Sequence, residues 1–182
     1  LASIVAADLE NDSALFIASS RPIRDLEAFA TPRADVITYA NRGLAGIDGN
    51  LSTIFGIARE FQNTFAILGD LTFLHDISAL TNAASENIRI FVIDNNGGAI
   101  FSTLPQAGVD NFDQLFGTPH NLDLAAISTA LKIKTSTINS TEELVKELSQ
   151  PIEGIRVVVA HMPNRESNAD LIKQVHSSLQ KI

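Results

Sequence analysis

One segment of the chain leaves few folds open. Thr64-Phe65-Ala66-Ile67-Leu68 is a continuous apolar run stopped by Gly69-Asp70, and Ile88-Arg89-Ile90-Phe91-Val92-Ile93 is a second, stopped by Asp94-Asn95-Asn96-Gly97. Short apolar runs closed by Gly, Asn or Asp read as strands buried on both faces. Between them Leu71, Leu74, Ile77 and Leu80 recur at helical spacing, which predicts one helix over 71–85. Strand, helix, strand is the unit of a parallel sheet, whose two faces are both covered by helices. Both strand ends then fall on one sheet edge and bring Asp70 and Asn95 there together. That edge is where open α/β sheets take their ligands.

The rest of the chain repeats the alternation. Strands are expected at 14–18, 36–40, 133–138 and 155–160. Helices are expected from Ser20 to about Ala30, from Gly46–Asn50 to about Phe61, over 122–131, behind the Ser140-Thr141-Glu142-Glu143 capping box, and over 167–182. Residues 97–115, with Pro105 and Gly108, read as a long loop of the kind that serves as a lid or binding loop. The fold class is therefore α/β, a three-layer α/β/α domain with a mostly parallel sheet of about six strands. At 182 residues the chain is long enough for one such domain. A net charge of −8 argues against a nucleic-acid footprint, and no apolar run is long enough for a membrane span. The absence of cysteine excludes thiolate chemistry and suits a cytoplasmic protein.

The residues at the two strand ends suit a hard cation. Magnesium takes oxygen ligands in octahedral geometry and is commonly held by one or two protein groups together with substrate phosphates. The Asp70 carboxylate, the Asn95 amide oxygen and a backbone carbonyl would leave positions for a diphosphate. Gly69 and Gly97 allow close approach of backbone. The helix after Gly69 would aim free amides, around Leu71 and Thr72, at an anion.

These residues resemble a family. Gly69-Asp70, a helix, and then Asn95-Asn96, at a separation of 25 (95 − 70), are similar to the diphosphate-binding motif of thiamin diphosphate enzymes. Leu71 stands where the wider motif has a further Gly. That departure, with Gly69-Asp70-Leu71-Thr72-Phe73-Leu74-His75-Asp76, Asn41-Arg42-Gly43-Leu44-Ala45-Gly46-Ile47-Asp48-Gly49, Asn95-Asn96-Gly97-Gly98-Ala99-Ile100-Phe101 and Phe116-Gly117-Thr118-Pro119-His120, resembles one branch: the 2-succinyl-5-enolpyruvyl-6-hydroxy-3-cyclohexene-1-carboxylate synthases of menaquinone biosynthesis. The resemblance covers nearly the whole chain.

It implies the C-terminal part of a three-domain, homodimeric or homotetrameric enzyme. Residues 1–12 would end a linker or leading helix, and residues 13–182 would form the diphosphate- and magnesium-binding domain. Such an enzyme decarboxylates 2-oxoglutarate and adds the succinic semialdehyde carbanion to isochorismate, with thiamin diphosphate and Mg2+ or Mn2+ as cofactors. The resemblance assigns Asp70, Asn95 and the Gly97 carbonyl to the metal. It assigns Gly69, Asp70, Leu71, Thr72, Asn95 and Gly97 to the diphosphate side of the cofactor, with Ile47 supporting its bent form. Ile100 and Phe101 would wall off the thiazolium, unless they only pack. Ser20, Arg24 and Arg42 would hold substrate carboxylates, although Arg42 could instead pair with Asp48 and Arg24 could be solvated. The activating Glu would come from a domain not represented here. His75 and His120 receive no role, and Asp76 is a candidate for supporting the ligands from behind by its position alone. Two other readings remain open: another carboligase of the acetolactate-synthase kind, and a non-catalytic module that binds magnesium diphosphate.

Overall fold

The computed structural model describes residues 1–82 and 85–179, with backbone only for His176 and Leu179. Among these residues, six strands form one sheet in the order β2-β1-β3-β4-β6-β5: β1 (Ala14–Ile17), β2 (Ile37–Tyr39), β3 (Thr64–Gly69), β4 (Ile88–Asp94), β5 (Lys134–Ile138) and β6 (Ile155–His161). All five pairings are parallel, as the continuous apolar runs require. Alternate residues of each central strand feed two cores. Phe16, Ala66, Leu68, Ile90, Val92 and Val157 face one side of the sheet, and Leu15, Ile17, Phe65, Ile67, Phe91 and Val158 face the other.

Helices cover both faces. On the first lie α3 (Asn50–Ala58), α4 (Asp70–His75) and α5 (Leu124–Ala130), through Leu51, Ile54, Phe73 and Leu124. On the second lie α1 (Ala2–Asp8), α2 (Arg21–Phe29) and α6 (Thr141–Leu148), through Val5, Ile23, Leu26 and Leu144. The last helix, α7 (Arg165–Leu179), packs beside a 3-10 turn at Ala99–Thr103. The expected end of this helix at 180–182, including Ile182, lies outside the described residues, as do residues 83 and 84 of the expected helix 71–85.

Several elements differ from expectation. The helix over 71–85 is broken: α4 stops at His75 and a 3-10 helix runs from Ile77 to Asn82. The break is at Asp76, whose carboxylate accepts the Ser52 backbone N–H (2.8 Å) and faces the Ser52 hydroxyl (3.3 Å). Asp76 thus caps α3, whose own N-cap, Gly49, has no side chain to do so. Helix α3 begins at Asn50, so Ile47 lies in the preceding loop and not at a helix start. Residues 97–115 are not structureless, because they carry the Ala99–Thr103 turn and run into a π-helical turn at Asp113–Gly117. Ser20 precedes α2 with φ +74° and makes no side-chain cap. The capping box of α6 forms in half: Ser140 accepts from Glu143 N (3.2 Å), while the Glu143 carboxylate returns to the N–H of Asn139, one residue before the cap.

Strand order places the site. From β1 the chain moves outward to β2, and from β3 it moves the opposite way to β4. The crevice between the carboxyl ends of β1 and β3 is therefore a topological switch point, the position where sheets of this kind hold ligands.

Candidate metal centre

Strand β3 delivers Asp70 to that edge as the first residue of α4, buried to 2% exposure. Burial of an ionised group requires partners, and the neighbouring turn supplies them. The Leu71 N–H donates to Oδ1 (2.7 Å); the Gly97 (2.8 Å) and Asn95 (3.2 Å) N–H groups donate to Oδ2. Burial nonetheless pushes the Asp70 carboxyl above the usual carboxylate range, against the pull of these amides and of nearby His120. The Leu71 amide is thereby committed within the protein and is not a free anion donor.

The turn after β4 is built to come this close. Gly97 has φ +128°, and a Cβ there would lie 2.2 Å from the Gly117 carbonyl oxygen, so conformation and space both demand glycine. Gly98 N–H donates to that same carbonyl (2.8 Å). On its far side Gly117 packs against the Arg165 guanidinium, which donates to Asp113 (2.7 Å). Gly69 has a different reason. Its φ of −79° suits any residue, but a Cβ there would meet nothing within 4 Å. Glycine leaves open space above the strand end.

Asn95 supplies the informative atom. Its Oδ1 is buried and has no hydrogen-bond partner among the described residues. An orphaned amide oxygen costs free energy unless something absent satisfies it. The Asn95 backbone N–H donates to the Asp70 carboxylate (3.2 Å), and two residues on, the Gly97 carbonyl accepts the Ala99 N–H (2.9 Å). A carboxylate, an amide oxygen and a backbone carbonyl are of the hard-ligand type that suits Mg2+ or Mn2+ with positions left for diphosphate oxygens.

Sequence reasoning left His120 without a role and missed Asp94. Ligand atoms of Asp70, Asp94 and His120 lie within 4.8 Å of one another. His120 Nε2 is 3.3 Å from Asp70 Oδ2 and 3.6 Å from Asp94 Oδ1. Asn96, the second Asn of the motif, turns away from Asp70. Its side chain donates to Asn121 Oδ1 (2.9 Å) and accepts the Asn121 N–H (2.8 Å). No local signal in the sequence marks this pairing, since its partners lie 25 residues apart.

The other candidates lie around the same edge without converging on one point. Arg24 donates to the Ser20 carbonyl (2.7 Å), and Arg42 approaches the Ser19 hydroxyl (3.4 Å) instead of Asp48. Arg24 and Ile100 line a groove of about 870 Å³ between α1, α2 and α7, which Arg42, Ile47 and Asp70 do not line. Ile47 is 37% exposed, on a loop whose carbonyls at Gly46 and Asp48 accept from the buried Asn50 amide. Phe101 packs on Phe116, with ring centroids 5.5 Å apart. Among the described residues, no helix is long and apolar enough to cross a membrane.

Comparison with known proteins identifies the family. A 2-succinyl-5-enolpyruvyl-6-hydroxy-3-cyclohexene-1-carboxylate synthase of Nocardioides sp. is 38% identical over 97% of this chain and 35% of its own length. The synthase of the same name from Nocardia farcinica is 40% identical over 87% of this chain and 30% of its own. The chain thus spans about a third of the length of the curated relatives it matches. In fold it is similar to a Mycobacterium smegmatis enzyme described as thiamin diphosphate-dependent, with a TM-score of 0.65 and 22% identity over 90% of this chain and 31% of that one. The sequence pattern described as "Thiamine pyrophosphate enzyme, C-terminal TPP binding domain" matches residues 28–162, a span that takes in β2 to β6 and every residue of the Asp70 corner; the chain belongs to that family.

Proposed function

We propose that this chain is the diphosphate- and metal-holding domain of a synthase that decarboxylates 2-oxoglutarate and adds the succinic semialdehyde unit to isochorismate. The observation that carries the reading is the buried Asn95 Oδ1, unpartnered among the described residues, on a residue whose N–H donates to the buried Asp70 carboxylate. Residues 1–12 lead into the domain, and residues 13–182 form it.

In this reading Asp70, Asn95 and the Gly97 carbonyl hold Mg2+ or Mn2+. The backbone at Gly69 and Thr72 receives the diphosphate, the Leu71 amide being taken by Asp70. Thiamin diphosphate, when bound, supplies the carbanion chemistry of the reaction. This chain's residues orient and enclose it. Ile47 supports the cofactor from its exposed loop, while Ile100 and Phe101 keep water from the reacting end. Arg24 and Arg42, with Ser20, bring two guanidinium groups to the ends of β1 and β2, which suits substrates that both carry carboxylates. The group that activates the cofactor comes from another domain or subunit of a homo-oligomer.

The experiment is a product assay on the intact protein with Mg2+, thiamin diphosphate, 2-oxoglutarate and isochorismate, run beside an identical assay with pyruvate. The expected result is carbon dioxide release and adduct formation with 2-oxoglutarate only. Preferential turnover of pyruvate would overturn the substrate assignment.

A further inference from the structure

We infer that His120 is a positioning residue of the metal centre: its Nε2–H holds Asp70 Oδ2, so that Asp70 Oδ1 is presented to the cation. The inference rests on the reading above that Asp70, Asn95 and Gly97 take a divalent cation, and it concerns a residue outside that ligand set.

Three observations carry it. The first is the hydrogen-bond pattern on the imidazole. The Leu122 N–H donates to Nδ1 (3.0 Å), so Nδ1 is the acceptor and the ring proton sits on Nε2. That nitrogen is 3.3 Å from Asp70 Oδ2, so His120 meets the carboxylate as a donor whose ring orientation is set by backbone. A ligand role through Nε2 would require the opposite tautomer.

The second is the division of labour on the carboxylate. Oδ2 meets Gly97 N–H, Asn95 N–H and His120, whereas among the described residues Oδ1 accepts only the adjacent Leu71 N–H. Oδ1 therefore keeps the lone pair that a cation needs. Partners outside the ligand set commonly orient a metal carboxylate in this way.

The third is that the His120 segment is clamped in place. Asn96 and Asn121 exchange two hydrogen bonds (2.9 and 2.8 Å), and both adopt left-handed backbone, with φ of +61° and +53°. Thr118 is left-handed too, and its N–H donates to the Asp113 carbonyl (2.7 Å). The loop therefore accepts unfavourable backbone at three non-Gly positions to bring one imidazole over Asp70. The imidazole is 7% exposed there and the Asp70 side chain 3%. The other carboxylate facing it, Asp94, accepts from Asn96 N (3.1 Å) and faces His161 (3.4 Å).

The test is Mn2+ affinity of the intact protein in the presence of thiamin diphosphate, read from the electron paramagnetic resonance signal of free Mn2+. His120→Phe keeps the ring shape and removes the donor; its Kd should rise about 10- to 100-fold. His120→Gln places an amide N–H near the Nε2 position and should stay within about threefold of the parent, since the donor is retained. Asp70→Ala is the control and should abolish binding. If Asp70→Ala binds Mn2+ normally, the metal assignment itself fails. If Asp70→Ala fails to bind but His120→Phe binds like the parent, the positioning role alone fails. An equal loss in His120→Phe and His120→Gln would also overturn it, because the donor would then be irrelevant. So would a pulsed-resonance signature of imidazole nitrogen bonded directly to the metal.

Discussion

At the scale of single residues, the centre is a buried carboxylate awaiting a countercharge. Burial raises the Asp70 pKa above that of the unfolded chain, so the metal-free fold binds this proton more tightly than the unfolded chain does. Asp70 then contributes stability at low pH that is lost as pH rises through its folded pKa, the reverse of a salt-bridged Asp. A divalent cation removes that penalty only from the ionised form. Thermal melting with and without Mg2+ should therefore give a stabilisation that is full at neutral pH and shrinks as pH falls and Asp70 takes up its proton; an increment independent of pH down to the acid limit of the fold would contradict the assignment. Gly97→Ala should lose metal binding together with about 2–3 kcal/mol of stability, because its Cβ has the Gly117 carbonyl 2.2 Å away; calorimetry and metal titration read the two losses separately. Asp70 and Asn95 were legible in the sequence because strand ends bring the right oxygen chemistry to one edge. His120 was not, because its place depends on the Asn96–Asn121 pair across 25 residues, and no local pattern encodes such a pairing.

At the scale of elements, the sequence pattern located every strand but misjudged how two connections are secured. Apolar spacing continued through Asp76, so periodicity alone could not show that this carboxylate is used by α3. Arg89 is a second case. It lies within a run that reads as simply apolar, yet it is a 1% exposed guanidinium that donates to the carbonyls of Glu147 (2.9 Å), Leu148 (3.2 Å), Gln150 (2.6 Å) and Pro151 (3.2 Å). A central strand thus caps the C-terminal end of α6, where carbonyls lack helix partners. Arg89→Met should cost about 3 kcal/mol or more, since four acceptors lose their donor inside the fold; chemical denaturation measures it, and a loss below about 1 kcal/mol would show that the carbonyls find other partners. Arg165→Ala frees the Asp113–Gly117 turn from α7 but leaves both cores intact. Its expected signature is faster hydrogen exchange at the Gly98 and Thr118 amides with a global stability change of only about 1 kcal/mol.

At the scale of the whole molecule, the layered fold and the parallel sheet followed from alternating apolar runs, because strands buried on both faces have no other stable arrangement. Strand order did not follow, since nothing local tells β6 to enter between β4 and β5. That insertion governs how the polypeptide can be made. Until β6 emerges during synthesis, β5 has no neighbour in the sheet and β4 keeps an unpaired inner edge of apolar strand, the kind of edge that recruits other chains. The half of the sheet from β1 to β4 can assemble while the ribosome is still working, but the other half has to wait for Ile155–His161. A nascent chain stalled with residue 150 just outside the exit tunnel should bind holdase chaperones, and one stalled far enough past residue 161 to free β6 should release them.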